Sequence, residues 1–299
     1  MPIDKITNLY RVNYRSKLAI IRYLFKRVFK IKPSKIEDEI YFLYMLLISE
    51  NGIVKQEKDK FFNIQFNKNF QHTLRLRKFP SSDILVYNQI YGYREYEPVV
   101  RIYKQNFGSD SESVNIIDAG GNIGISSIYF LQNFVQPNIV IIEPAQENFE
   151  VLKFNLEKYQ NIIKINGALW KKNGKLNILN DFRDKSDWAF RVEEDENGSI
   201  EAFTLNFLLD KYHLENVDIL KIDIEGAEKE IFTTNNNNLD FLNRTKCIAI
   251  EIHDEFHCRE QILKILDDYG FSLYHEKETT VGINRRLLKP QLQQNSKRV

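Results

Sequence analysis

Val114-Asn115-Ile116-Ile117-Asp118-Ala119-Gly120-Gly121-Asn122-Ile123-Gly124 is the stretch on which the reading of this chain turns. Mostly apolar, β-prone residues run into Asp118, and a glycine-rich turn follows. Beyond it, Ile125 to about Asn133 has the pattern of an amphipathic helix. Strand, tight turn and helix make the first unit of a nucleotide-binding α/β sheet. The glycines let backbone approach a ligand closely, and the helix start presents unpaired N–H groups. Asp118, at the carboxyl end of the strand, adds a fixed negative charge that repels a pyrophosphate and suits a cationic amine.

The next strand, Asn138-Ile139-Val140-Ile141-Ile142, ends in Glu143-Pro144. An acid there is placed to accept hydrogen bonds from the ribose hydroxyls of an adenosine. Pro144 stops the strand and opens a helix through Lys158. The dehydrogenase fingerprint wants glycines at its first, third and sixth positions, and here the first is Ala119. The spacing Asp118-x-Gly120-x-x-x-Gly124 fits S-adenosylmethionine better: Asp118 for the amino group, the turn for the carboxylate, Glu143 for the ribose.

A chain of 299 residues with 43% apolar and 13% aromatic content supports one α/β domain plus an extension. A net charge of +1 gives no global argument for nucleic acid. Two cysteines, Cys247 and Cys258, without a zinc spacing, fit a reducing cytoplasm. No signal-peptide pattern is visible, and the apolar run Ile40–Ile48 is too short to span a bilayer.

Between Met1 and Lys35 stand Lys5, Arg11, Arg15, Lys17, Arg22, Lys26, Arg27, Lys30, Lys32 and Lys35 against one acid, Asp4. Within residues 16–31, Leu18, Ile21, Phe25 and Val28 recur at helical spacing. Such a helix either lies on an anionic membrane surface or packs with one solvated face. Ser34 with Glu37 resembles a capping box for a second helix to about Ser49, closed by Asn51-Gly52. Phe61–Phe66 and Thr73–Arg77 read as a hairpin. A helix is expected from Ile84 towards Phe107, interrupted near Gly92, where Tyr91, Tyr93, Glu95 and Tyr96 either cover a cofactor or enter the core.

Ile162–Ile165 reads as the third strand, ending at Asn166-Gly167-Ala168. The long connection Trp170–Asn216 carries strand-like Lys175–Leu179 and Ser199–Phe203 around Asp184, Ser186, Asp187, Trp188 and Arg191, and reads as an ordered wall of an acceptor pocket. Val217–Ile222 delivers Asp223-Ile224-Glu225-Gly226-Ala227-Glu228 at its carboxyl end. Lys246–Ile252 carries Glu251 and leads to His253. A helix over Arg259–Tyr269, a strand Phe271–His275 and its antiparallel neighbour Val281–Leu288 complete the pattern. In a doubly wound sheet, chemistry sits at the carboxyl ends of strands, where Asp118, Glu143, Asp223, Glu225, Glu251 and His253 all fall. Asp223, Glu225 or His253 can orient or deprotonate an acceptor, with Glu228 read as a helix N-terminal charge. The rival chemistry, a divalent cation on Asp223 with Glu251 or His253, lacks a dedicated ligand spacing, and no metal is assigned.

Ile117–Gly124, Glu143-Pro144, the run Leu220-Lys221-Ile222-Asp223-Ile224-Glu225-Gly226-Ala227-Glu228 and Ile250–His253 together resemble the FkbM-type S-adenosylmethionine-dependent methyltransferases. The resemblance covers roughly residues 81–283, and Gly121 stands where the family more often has Ala. It implies a class I methyltransferase fold: α/β and Rossmann-like, with seven mostly parallel strands, a terminal antiparallel strand and a helical N-terminal extension. The expected division is 1–80 extension and hairpin, 81–289 catalytic domain, and 290–299 polar tail. The resemblance implies methyl transfer from S-adenosylmethionine to a hydroxyl of a sugar, polyketide or other secondary metabolite. Asp118, Gly120, Gly121, Asn122, Gly124, Glu143, Pro144, Ala168 and Asp223 are expected to hold the cofactor, and Asp223, Glu225 and His253 to act on the acceptor. The expected partners are a small-molecule or glycan acceptor and no nucleic acid, with a peripheral membrane contact through the basic helix. The expected location is the cytoplasm or its membrane face. N-methylation, a nicotinamide-dependent oxidoreductase and a non-catalytic scaffold on the same sheet remain the alternatives.

Overall fold

The computed structural model describes residues 4–66, 73–108, 113–179, 191–235 and 237–288. The chain forms two compact units, residues 1–93 and 94–299.

In the first unit, α1 (Asp4–Thr7) precedes α2 (Tyr14–Val28) and α3 (Lys35–Ser49). The capping box forms as its sequence requires: the Glu37 N–H donates to Ser34 Oγ (3.2 Å) and the Ser34 N–H to Glu37 Oε2 (2.7 Å), satisfying two otherwise orphaned donors. A three-stranded antiparallel sheet follows, β1 (Gly52–Glu57), β2 (Phe61–Phe66) and β3 (Thr73–Arg77). The expected hairpin is β2–β3. β1 is an addition, because Asn51-Gly52 both ends α3 and opens a strand whose alternation lasts only over Gly52–Val54. Phe62, Ile64, Phe66, Leu74 and Leu76 of the sheet and Leu43, Tyr44 and Leu47 of α3 are all buried. α4 (Asp83–Tyr87) runs into a π-helical turn at Asn88–Gly92, the interruption expected near Gly92.

The second unit opens with α5 (Glu97–Phe107). It then alternates β4 (Asn115–Ala119), α6 (Ile125–Asn133), β5 (Asn138–Glu143), α7 (Gln146–Asn155) and β6 (Ile162–Asn166). A small second sheet is inserted here, β7 (Ala168–Leu169), β8 (Gly174–Leu179), β9 (Arg191–Glu194) and β10 (Ile200–Phe203), before α8 (Leu205–Lys211). The main sheet resumes with β11 (Val217–Ile222), α9 (Ala227–Thr233), β12 (Thr245–Glu251), α10 (Arg259–Asp268), β13 (Phe271–Glu276) and β14 (Thr279–Asn284).

The main sheet has seven strands in the order β13-β14-β12-β11-β4-β5-β6. β12, β11, β4, β5 and β6 are parallel, and β14 is antiparallel to both of its neighbours. This is the expected class I architecture. β11 is buried at every position, as a central parallel strand covered on both faces must be. The chain leaves β4 towards β5 and β6 and returns to β11 on the other side, so the sheet reverses between β4 and β11. Ligand crevices in such sheets lie outside the carboxyl ends at that reversal. Within the span expected to be one long connection, α8 is an unanticipated helix, capped by Thr204 accepting from the Phe207 N–H (3.2 Å). Asp184, Ser186, Asp187 and Trp188 lie outside the described residues.

Candidate active site

The glycine turn after β4 owes its shape to two positions. Gly120 (φ +75°) passes so near β11 that a Cβ there would lie 1.7 Å from the backbone oxygen of Asp223, and Gly124 (φ +85°) starts α6. Only glycine adopts the first of these without strain and collision. The Gly120 and Gly121 N–H groups both donate to the Ile142 carbonyl (3.0 and 2.9 Å), and the Asp223 N–H donates to the Ala119 carbonyl (3.2 Å). The turn is thereby tied to β5 on one side and β11 on the other. Asn122 adopts φ +48°, and its Oδ1 is buried without a hydrogen-bond partner among the described residues.

Asp118 is fully buried. Its Oδ2 accepts from the Ser126 and Ser127 hydroxyls (2.6 and 2.7 Å), and its Oδ1 lies 3.3 Å from Lys221 Nζ. Lys221 also donates to the Ala119 and Gly120 carbonyls (3.1 and 2.6 Å) and stands 3.6 Å from Asp223. Burial works against its charge, but Asp118 and Asp223 outweigh burial and raise its pKa above the ordinary lysine range. Asp118 therefore faces an internal cation and two hydroxyls, and its negative charge is already balanced inside the protein.

Glu143, at the end of β5, accepts from the Asn122 N–H at Oε2 (2.8 Å). Its Oε1 accepts from the Ala145 N–H (2.9 Å) and Asn148 Nδ2 (3.3 Å). Burial pushes its carboxyl up and these donors pull it back, leaving a pKa of about 7. Pro144 is half-buried beside it, and Ala168 is buried on β7, paired with Ala202 of β10.

A second cluster occupies the ends of β11 and β12. Ile222 pairs with Ile250, so Asp223 and Glu251 leave adjacent strands side by side. His253, two residues on, is buried, and its ring Nδ1 lies 2.8 Å from Glu228 Oε1. A carboxylate only accepts, so the proton sits on Nδ1 and Nε2 is turned towards Glu225 Oε2 (3.3 Å) and Glu251 Oε1 (3.8 Å). Glu228 also accepts the His253 backbone N–H (2.9 Å) and, at Oε2, the Gly226 N–H (2.9 Å). It is thus both the helix-terminal charge the sequence suggested and a clamp on the histidine. Burial opposes a charged ring at His253, but Glu225 and Glu228 prevail and lift its pKa to about 11. A ring so held is a cation at neutral pH, which suits positioning better than proton abstraction. Glu251 is raised to about 8, by burial first and Asp223 second, with His253 pulling the other way.

Of the expected residues, Asp118, Gly120, Gly121, Asn122, Gly124 and Glu143 gather around one turn. Asp223, Glu225 and His253 gather around the other strand ends, with Glu251 among them. Lys221 escaped sequence reasoning because a lysine inside an apolar strand carries no motif of its own; its place between Ile222 and Leu220 in a fully buried strand was the available signal. Tyr96 enters the core against Phe130 (centroids 5.5 Å), while Tyr93 is exposed.

The family model of the Methyltransferase FkbM domain matches residues 118–273, from the aspartate of the glycine turn to Leu273 of β13. The chain belongs to the FkbM methyltransferase family. It is a methyltransferase, and the FkbM match spans both clusters described above. Methyltransferase sdnD of Sordaria araneosa is 26% identical over 197 residues, 54% of this chain and 75% of that protein. Methyltransferase 1 of Beauveria bassiana (strain ARSEF 2860) is 23% identical over 188 residues, 54% of this chain and 74% of that protein. Among solved structures, fibrillarin from Aeropyrum pernix, crystallised with natively bound S-adenosyl-L-methionine, is 13% identical and covers 77% of this chain and 84% of its own, with a TM-score of 0.33. At that score the likeness carries no argument.

Proposed function

We propose that this FkbM methyltransferase transfers a methyl group from S-adenosylmethionine to a hydroxyl of a sugar, polyketide or similar small molecule. The observation that carries the reading is the pair of carboxylates, Asp223 and Glu251, leaving adjacent strands beside a glycine turn that offers an unsatisfied buried acceptor at Asn122 Oδ1. That acceptor, the acid at Glu143 and the first-turn N–H groups of α6, which a helix leaves without intrahelical partners, suit the amine, ribose and carboxylate of the cofactor. Bound there, S-adenosylmethionine supplies a methyl carbon already activated by its sulfonium.

The protein's part is then positioning and proton handling. A hydroxyl must lose its proton as its oxygen attacks, and Glu251, whose pKa burial and Asp223 raise to about 8, is in its ionised form a stronger base than an ordinary carboxylate. Glu251 takes that proton, Asp223 orients the oxygen, and His253, fixed by Glu228, holds the carboxylates in register. A nitrogen acceptor has less need of such a group, and this favours oxygen. Both cysteines are free and buried, which fits the reducing cytoplasm proposed as its location. No helix among the described residues is long and apolar enough to cross a membrane.

Calorimetric titration of the full chain with S-adenosylhomocysteine tests the reading. Saturable binding is expected, weakened at least tenfold in Glu143→Gln. Binding of NAD instead would overturn it.

A further inference from the structure

We propose that Asp223, Glu251 and His253 hold a divalent cation that takes the acceptor hydroxyl oxygen as a further ligand. This rests on the methyl-transfer reading and deepens it. One ligand atom from each residue lies within 4.8 Å of the other two. Bonds of about 2.0–2.2 Å to one ion need ligand atoms roughly 3–4 Å apart, and Glu251 Oε1 already stands 3.8 Å from His253 Nε2. The independent observation is the histidine. Its side chain is 1% exposed, and Nε2 makes no hydrogen bond among the described residues, with Glu225 Oε2 at 3.3 Å and Glu251 Oε1 at 3.8 Å the carboxylate oxygens it faces. With Nδ1 held by Glu228, the ring has the orientation of a metal ligand backed by an outer carboxylate. Two carboxylates and one imidazole suit Zn²⁺ or Mn²⁺, whereas Mg²⁺ prefers oxygen ligands alone.

The ion replaces a proton at Nε2 and binds the acceptor oxygen, lowering the pKa of its O–H. As that oxygen bonds to the methyl carbon, the sulfur–methyl bond breaks with its electron pair on sulfur. The hydroxyl proton, otherwise taken by Glu251, leaves to water.

The test titrates the chelator-stripped full chain with Mn²⁺ and follows the electron paramagnetic resonance signal of the free ion. One equivalent is expected to bind, more than tenfold more weakly in Asp223→Asn and Glu251→Gln, and about tenfold more weakly in Glu228→Gln, where only the support of the ring changes. Melting curves check that each variant is folded. S-adenosylhomocysteine binding without Mn²⁺ binding would overturn the cation and leave the methyl-transfer reading standing. Mn²⁺ binding unchanged in the Asp223 and Glu251 variants would place the ion elsewhere and overturn it. Binding of neither would overturn both.

A second observation, independent of the first, concerns α2. At about 100° per residue, Tyr14, Leu18, Ile21, Phe25 and Val28 fall on one face, and they are 73, 37, 52, 57 and 67% exposed. The opposite face is the packed one: Ser16 and Ile20 are buried, and Tyr23 stacks on Tyr41 of α3 (centroids 4.0 Å). The helix is therefore apolar on both sides, with Lys17 flanking the open row on one edge and Arg15 and Arg22 on the other. An apolar stripe edged by cations matches the interface of an anionic bilayer, where apolar groups enter the acyl boundary and basic groups meet the headgroups. We infer that α2 seats this protein on such a surface. Full-length protein is expected to co-sediment with vesicles containing phosphatidylserine and to lose that binding in the pair Phe25→Glu and Val28→Glu. No binding to these vesicles, or self-association through the same residues in its place, would overturn the inference.

Discussion

Lys221 carries its charge into a site closed to solvent, and four oxygen partners keep it there: the carboxylates of Asp118 and Asp223 and the carbonyls of Ala119 and Gly120. Removing one member of a buried ion pair typically costs about 3–5 kcal/mol, because the other is left unpaired. Lys221→Met is therefore expected to lower unfolding free energy by roughly 3 kcal/mol in urea titrations. A loss below roughly 1 kcal/mol would mean that Asp118 is balanced without it. Gly120→Ala places a methyl on backbone and demands a left-handed alanine. The expected outcome is loss of S-adenosylhomocysteine binding together with a lower melting temperature, since the turn has no flexible neighbour to displace.

At the scale of elements, the capping box of α3 offers a contained test. Ser34→Ala is expected to cost about 1 kcal/mol, read by chemical denaturation, with Ser34→Asp restoring it. The elements also show why parts of the architecture were legible and others were not. The parallel strands β4, β5 and β11 declare themselves as apolar runs ending in an acid, and α6 follows its glycine turn as sequence pattern requires. β1 was hidden because its opening glycine doubles as a helix stop. The inserted sheet was legible only as loose strand-like pieces, since β7 is two residues long and pairs with β10 far along the chain. The His253–Glu228 clamp joins residues 25 apart, and no local period announces such a pair. By contrast, Asp223 and Glu251 could be read as neighbours once their strands were placed in adjacent positions.

For the molecule as a whole, several buried groups bind protons more tightly when folded than when unfolded. Glu143 at about 7, Glu251 at about 8 and His253 at about 11 all lie above their ordinary values of 4.5, 4.5 and 6.5. A raised folded pKa gives stability that is present below the unfolded value and is lost as pH climbs through the folded one. Without ligands, the melting temperature is thus expected to fall as pH rises from about 5 to about 9. Glu251→Gln is expected to flatten that slope, and a profile rising over this range would contradict the assignment.

The close pass of Gly120 under Asp223 has one more consequence, and it concerns time. The Gly120, Gly121 and Asp223 amides are bonded across three adjacent strands, β5, β4 and β11, and Lys221 spans the same seam. An opening that frees one of them pulls on the others. Their hydrogens should exchange with deuterium as one group at one rate, so that the glycine turn and the residue that follows β11 open together and close together.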